Sequence, residues 1–376
     1  MGEKKNNRLL FISHSSDLSG AERSLAEIVC AIVKHNIAEI GVVLPRKGKL
    51  EALLPAEVTI FYSEIFWWTK NWYPKKYSLR DKLWMFRQNL KSARKIIKEF
   101  SPDLVITNTS VIYEFAIAAK IEGVHHCWHI RETMEQMQTH FMFGDRFTNK
   151  IMSWLSDFIY VNSEYLKKEC QKYFKNIFVV RQAINCNTIV KSHSISERIN
   201  IAIVGFISPK KNQIEALNAY KILERQGVKN ISLSVVGWGD ENSEYYQKIK
   251  KLISNSNINI VQFADNMEVI YAKTDIVLVC SLETFGRVAV EAMKHSIPII
   301  AANVGASTNN IKDGYNGYLY ELGNPEDLAN KIMLLQNPDV RNEMGRNGYM
   351  FAMENFNEKN MINDFMEPLS KIFGAS

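Results

Sequence analysis

The sequence predicts an α/β fold built as two doubly wound domains. Three observations carry that expectation. Short apolar runs that read as buried strands alternate with stretches that read as helices, the pattern of a mostly parallel sheet covered on both faces. The alternation runs to Val180, breaks at the polar stretch Asn185 to Arg198, and starts again at Ile199. A length of 376 residues allows two ordinary domains.

In the first series Arg8 to Ser13 reads as a strand and His14 to Gly20 as a loop of small and polar residues. Ala21 to His35 follows as a helix with Leu25, Ile28, Val29 and Ile32 on one face. Glu39 to Leu44 and Val58 to Tyr62 are strands, Leu79 to Phe100 a long helix, Asp103 to Thr107 a strand and Ile112 to Ile121 a helix. His125 to Ile130 is a strand, Phe141 to Leu155 a helix and Phe158 to Asn162 a strand, after which Ser163 caps a helix and Phe178 to Val180 closes the series. The second series runs strand Ile199 to Val204, loop Gly205 to Asn212, helix Gln213 to Arg225, strand Ile231 to Val236, helix Glu244 to Ser254 and strand Ile258 to Phe263. A short helix from Glu268 to Ala272, a strand from Asp275 to Cys280 and a helix from Val288 to Met293 come next. The strand Ile297 to Ala301, a turn at Val304 to Ala306, and helices over Pro338 to Glu354 and Glu358 to Phe373 end the chain. The expected domains are 1–188 and 189–356, with 357–376 a helix returning to the first. Doubly wound sheets bind ligands at the carboxyl ends of their strands.

Hydrophobic content of 46% and charged content of 23% are those of a soluble globular protein. A net charge of +6 permits anionic partners and does not demand nucleic acid. Five scattered cysteines suit reduced thiols in the cytoplasm and no metal site. No run approaches the roughly 18 apolar residues of a membrane span. The polar start Met1 to Asn7 carries no secretory signal. A soluble or surface-bound protein is therefore expected.

The most informative stretch is Glu283-Thr-Phe-Gly-Arg-Val-Ala-Val-Glu291, which joins a strand to a helix. Phe285 and Gly286 place free backbone N–H groups at the helix N-terminus, where anions bind. A carboxylate on each side suits a ligand that carries both hydroxyls and phosphates, such as a nucleotide sugar. Lys210 and Lys211 sit where the helix dipole disfavours cations, which a phosphate would explain, although two solvated lysines would look the same. Gly205 opens that loop. Gly237, in Val236-Gly-Trp-Gly239, marks a tight turn near the ligand but lacks the third glycine of a dinucleotide fingerprint. The Gly20 loop reads either as an anion cradle or as an ordinary turn. His129 ends a strand, where it could bond a sugar, act as acid or base, or simply be structural. His125, His126 and His129 cannot converge on zinc, because neighbouring strand residues face opposite ways. No Asp-x-Asp pair occurs to clamp a metal diphosphate. Phe66 to Lys98 interleaves aromatic and basic residues with Asp81 as its one acid, a composition that suits an anionic membrane surface. Core packing with a solvated basic face is the plainer alternative.

These residues resemble the family 4 retaining glycosyltransferases of the GT-B architecture, two Rossmann-like domains facing each other across a cleft. The resemblance rests on Glu283 to Met293, Pro298 to Gly305, Asp313 to Gly317, Pro325 to Leu328, Ser208 to Gln213 and Leu18 to Arg23. It implies that Glu283 contacts donor-sugar hydroxyls and that Glu291 holds the ribose. Phe285, Gly286 and Arg287 line the phosphate side, Lys211 neutralises the diphosphate, Gly20 approaches the donor, and His129 sits by the transferred sugar. The chain departs from the pattern at Phe206, where arginine is common, and at Ser19, where a second glycine is common. The resemblance implies a UDP- or GDP-sugar donor as substrate, no cofactor or metal, and a saccharide or lipid-linked acceptor. It implies surface-polysaccharide work in the cytoplasm, and the composition of Phe66 to Lys98 adds the expectation of a peripheral place on the inner face of the membrane. A sugar-nucleotide epimerase of similar fold and a catalytically silent partner subunit are the alternatives.

Overall fold

The structure, a computed structural model, describes residues 7–70, 78–137, 139–184, 198–253, 257–262 and 267–373. The chain divides into two compact units, 1–183 with 358–376, and 184–357. The division lies slightly before the boundary of 188 read from the sequence. Most of the linker expected at Asn185 to Arg198 lies outside the described residues.

The elements of the first unit are β1 (Arg8–Ser13), α1 (Gly20–Lys34), β2 (Glu39–Leu44), β3 (Thr59–Tyr62), α2 (Leu79–Phe100) and β4 (Leu104–Asn108). They continue with α3 (Glu114–Glu122), β5 (His125–Ile130), α4 (Asp145–Leu155), β6 (Phe158–Val161), α5 (Glu164–Cys170) and β7 (Ile177–Val179). The second unit holds β8 (Ile199–Val204), α6 (Gln213–Arg225), β9 (Ile231–Val236), α7 (Glu244–Ile253), β10 (Ile258–Val261), α8 (Glu268–Lys273) and β11 (Ile276–Val279). After these come α9 (Arg287–Lys294), β12 (Ile299–Ala302), α10 (Ser307–Asn310), β13 (Tyr318–Tyr320), α11 (Pro325–Leu334) and α12 (Pro338–Asn355). The last helix, α13 (Glu358–Phe373), belongs to the first unit.

Each unit is a parallel sheet with helices on both faces. The first sheet has strand order β3-β2-β1-β4-β5-β6-β7 and the second β10-β9-β8-β11-β12-β13. The period-2 alternation of the strands divides their side chains between two cores. Ile199, Ile201 and Ile203 join the core that holds Leu217 of α6 and Leu328 of α11, while Ala202 and Val204 join the one that holds Val290 of α9 and Ala352 of α12. In the first unit Leu9 and Phe11 pack with Leu25 of α1 and with Met361, Phe365 and Leu369 of α13. Burial of each of those three α13 side chains contributes about 1.5–3 kcal/mol. A bidentate pair also ties α13 down, Arg181 Nε and Nη2 donating to the two oxygens of Asp364 at 2.8 and 2.7 Å.

In both sheets the strand order reverses once, beside β1 and β4 in the first unit and beside β8 and β11 in the second. Loops leaving the carboxyl ends of two such strands splay apart and open a crevice. The loops after β8 and β11 carry Gly205 to Lys211 and Glu283 to Gly286.

Four expectations need correction. The helix read from Phe141 begins only at Asp145, because Gly144 has φ 84° and Phe141 bridges to Thr69. The Asp145 carboxylate accepts the Phe141 N–H at 2.8 Å. Pro298 has no N–H to give a ladder, so β12 starts at Ile299 and not at Ile297. The short edge strand β13 and helices α10 and α11 were not read from the sequence. In the aromatic stretch, Trp68 is core, stacked on Tyr113 and Trp128, and its indole N–H donates to Ser110 O at 2.7 Å. Trp72, Tyr73, Lys75, Lys76 and Tyr77 lie outside the described residues.

Glu114, the first residue of α3, is buried with its carboxylate accepting the Phe66 N–H at 2.9 Å. Burial pushes its pKa up to about 7 against these hydrogen bonds. The native state thus holds a proton that the unfolded chain releases above its ordinary carboxylate range. The associated stability is present at low pH and is lost as pH rises through about 7. Glu114→Gln keeps an acceptor without the charge. It is expected to raise stability at pH 8 by up to about 3 kcal/mol and to be near neutral at pH 4. Denaturant unfolding at the two pH values checks this; an equal effect at both contradicts it.

Candidate functional site

The β11-to-α9 loop holds Glu283 in a fixed backbone. Ala306 N–H donates to Glu283 O at 2.7 Å, and Gly305, with φ 62°, lies so close that an added Cβ would stand 2.4 Å from that oxygen. The side chain is bound on one oxygen. Lys211 Nζ and Ser281 Oγ both donate to Glu283 Oε1, at 2.5 and 2.7 Å. Lys211 reaches it from the short turn Pro209–Lys211 after β8, its stem lying over Gly205, where a Cβ would be 3.4 Å from the lysine Cε. Gly237 supports that turn from β9, since a Cβ there would stand 2.0 Å from Gly205 O. Lys211, Ser281, Glu283 and Gly286 line one small pocket at the β8/β11 reversal.

Glu291 lies further along α9. Arg287 Nε donates to its Oε1 at 2.8 Å and Tyr271 Oη to its Oε2 at 2.8 Å. Both charged pairs are about one-fifth exposed, so a ligand can reach them. Gly286 opens α9 with φ 81°, a conformation glycine adopts without strain. The Phe285 ring turns away from this site into the core against Phe356. Only its backbone can serve a ligand, and Asn310 Nδ2 fixes that backbone by donating to Phe285 O at 2.7 Å. Lys210 is exposed beside the pocket. Phe206 packs edge-on against Trp238, both largely exposed.

In the first unit Gly20 starts α1, and a Cβ there would meet nothing within 4 Å. Neither packing nor backbone angle requires that glycine. Ser19 is the N-cap, its N–H donating to Glu22 Oε2 at 3.0 Å and its hydroxyl to the same atom. His129 is buried at the end of β5, its Nδ1 3.3 Å from Arg131 Nη2. Its Nε2 is buried with no hydrogen-bond partner. Burial first, and the Arg131 cation second, hold its pKa well below 6.5. The three histidines do not converge. His125 pairs with Asp157, and His126 bonds Thr107 and the Leu155 carbonyl. Among the described residues no group of three or more acidic, histidine or cysteine side chains could hold a metal ion.

Residues 187–351 match the family model described as glycosyl transferases group 1. The second unit is a group 1 glycosyltransferase domain. An uncharacterized glycosyltransferase of Methanocaldococcus jannaschii is 29% identical over 215 residues, 55% of this chain and 58% of that protein. The chain spans about half the length of several curated relatives it matches. A longer alignment, 22% identical over 90% of this chain and 92% of the relative, is to the Campylobacter jejuni GalNAc-alpha-(1->4)-GalNAc-alpha-(1->3)-diNAcBac-PP-undecaprenol alpha-1,4-N-acetyl-D-galactosaminyltransferase. Among solved structures, Anabaena HepE in complex with UDP and glucose superposes with TM-score 0.74 and 19% identity over 96% of this chain and 99% of that one. The fold is therefore GT-B.

Within the glycosyltransferase domain the structure adds residues that sequence reasoning missed. Ser281 shares the Glu283 oxygen, Tyr271 holds Glu291, and Gly305 and Asn310 fix the backbone between the two acids. Ser281 stands two residues before Glu283 and was open to inference. Tyr271 and Asn310 come from distant elements, and only the folded chain brings them in.

Proposed function

We propose that the chain is a retaining glycosyltransferase that moves a sugar from a UDP- or GDP-sugar to a hydroxyl of a saccharide or lipid-linked acceptor. The observation that carries this is the convergence of Lys211, Ser281 and Glu283 at the β8/β11 reversal, with Glu291 held ready on the adjoining helix. Lys211 and Glu283 neutralise each other in their ion pair. A diphosphate draws the lysine charge to itself, and the freed Glu283 oxygen accepts sugar hydroxyls. Glu291, fixed by Arg287 and Tyr271, accepts the paired hydroxyls of the ribose. The leaving diphosphate is stabilised by Lys211 and the N-terminus of α9, and its oxygen takes the acceptor proton as the hydroxyl attacks from the same face. No metal is needed in this scheme, so chelator is expected to leave turnover unchanged.

A thermal-shift panel of nucleoside diphosphates and their sugars tests the reading. Ligand at 100 times Kd is expected to stabilise by about 2.7 kcal/mol. No shift with any of them points to a silent partner subunit. Conversion of the donor sugar without an acceptor marks an epimerase.

The acceptor side of the proposal includes an anionic membrane. Leu83 and Trp84 are exposed on α2 with Arg87, Lys91, Lys95 and Lys98, and α4 adds exposed Phe147 and Trp154 with Arg146 and Lys150, next to exposed Phe143 just before it. α3 packs against both helices. No helix is long and apolar enough to cross a membrane among the described residues. Such a surface suits a place on the inner face of the cytoplasmic membrane. Flotation with anionic vesicles is expected to carry the protein, and Phe147→Ser with Trp154→Ser to release it; equal behaviour with neutral vesicles refutes the role of charge.

A further inference from the structure

His129 and Arg131 occupy one buried site at the carboxyl end of β5 in the first unit, and their geometry decides more than the position of a histidine. Arg131 is held on several sides. Its Nε donates to Asn108 Oδ1 on β4 at 2.7 Å, and its carbonyl accepts from Asn162 Nδ2 after β6 at 3.2 Å. The backbone of His129 is fixed as well, its carbonyl accepting the Thr109 N–H at 2.9 Å. A guanidinium has only donors and does not lose its proton. With Arg131 Nη2 at 3.3 Å from His129 Nδ1, that ring nitrogen can only be the acceptor. The proton of the neutral ring then sits on Nε2.

We infer that Arg131 holds His129 in the Nε2–H tautomer, so that His129 meets the substrate as a hydrogen-bond donor and not as a base. The Nε2 atom is buried and unpartnered in the protein, a donor whose bond is made only when a ligand oxygen arrives. Its partner is an uncharged or anionic acceptor such as a sugar hydroxyl, carbonyl or carboxylate. The other groups that face the ring do not compete for the proton. Tyr160 on β6 lies 5.7 Å away between ring centres, and its own hydroxyl is spent on the Phe365 carbonyl. Cys127 on the same strand is buried with its thiol pushed well up, and Asn108 carries no charge. The low basicity that burial and Arg131 impose on the ring agrees with a donor role. Arg131 is thus a positioning residue that acts through His129.

The donor role rests on the transferase reading, whereas the tautomer does not. Long-range ¹H–¹⁵N correlation on the full chain labelled in histidine, with His129 assigned by His129→Gln, reads the tautomer without any substrate. Wild type is expected to show Nε2 protonated and Nδ1 bare, unchanged between about pH 8 and pH 5.5. Arg131→Lys keeps a pure donor and should keep the tautomer. Arg131→Met should release it to a mixture that titrates nearer 6.5. A protonated Nδ1 in wild type, or a ring indifferent to Arg131→Met, overturns the inference and leaves the transferase reading standing. Once a donor sugar is known, His129→Gln, whose amide can still donate, should exceed His129→Ala in kcat by about tenfold or more. Equal losses in both, with the tautomer established, overturn the donor role.

Discussion

Lys211→Ala is expected to lower kcat by about 10²–10³-fold while the protein remains folded, because the lysine brings its charge to the Glu283 pocket and transition-state charge stabilisation is worth that much. The ion pair it leaves is partly exposed, so its loss costs at most about 1 kcal/mol of stability. Glu283→Ala should produce a loss of similar size for a different reason, the missing contact to the sugar. In the double variant the losses should fall short of their sum, since the two side chains bond each other and act on one ligand. Steady-state turnover with a matched donor, alongside thermal melts of each variant, decides the matter. Near-normal turnover in both single variants removes these residues from the site.

Gly305→Ala should be the most damaging of the conservative changes near the site. The residue has φ 62°, and an alanine Cβ would lie 2.4 Å from Glu283 O and 3.1 Å from Glu283 N. Left-handed strain and a backbone clash together are expected to cost about 2–4 kcal/mol. That corresponds to a drop in Tm of roughly 5–15 °C for a unit of this size. Whatever relief the chain finds must move the Glu283 backbone, so turnover should fall even at temperatures where the variant is fully folded. An unchanged Tm together with full activity would falsify the assignment of Gly305 as the support behind Glu283.

Much of this was legible in the sequence, and the boundary of what was not is physical. Buried parallel strands announce themselves as apolar runs, which is why β1, β2, β5, β8 and β9 were read to the residue. The doubly wound order then follows from strands alternating with helices. Glu283, Glu291 and Lys211 were singled out because charged side chains at and just after strand-to-helix turns are chemically unusual, and the structure pairs Lys211 with Glu283 and sets Glu291 further along α9. Phe285 was read for its backbone N–H; the direction of its ring depends on tertiary packing and could not be read, and here it points into the core. Trp68 failed for the same reason. Its neighbours in sequence are aromatic and basic, but its neighbours in space are Tyr113, Trp128 and Phe141. Gly305 read as an ordinary turn, since its closeness to Glu283 exists only after β11 and β12 pair. Glu114 and Arg131 carry no local mark of burial at all.

The return of α13 to the first unit sets an order on how the protein can be made. Met361, Phe365 and Leu369 fill a core whose other members, from Leu9 to Ala183, leave the ribosome long before them. The first unit therefore emerges early with a lasting gap in its apolar face, and only α13, which follows the whole second unit in sequence, closes it. The glycosyltransferase domain, by contrast, is continuous in sequence and has all its parts once Asn357 is out. The unit synthesised first is the one completed last. Until then its unfilled surface over Phe11 and Tyr160 is where a nascent chain is most exposed to chaperones and to aggregation.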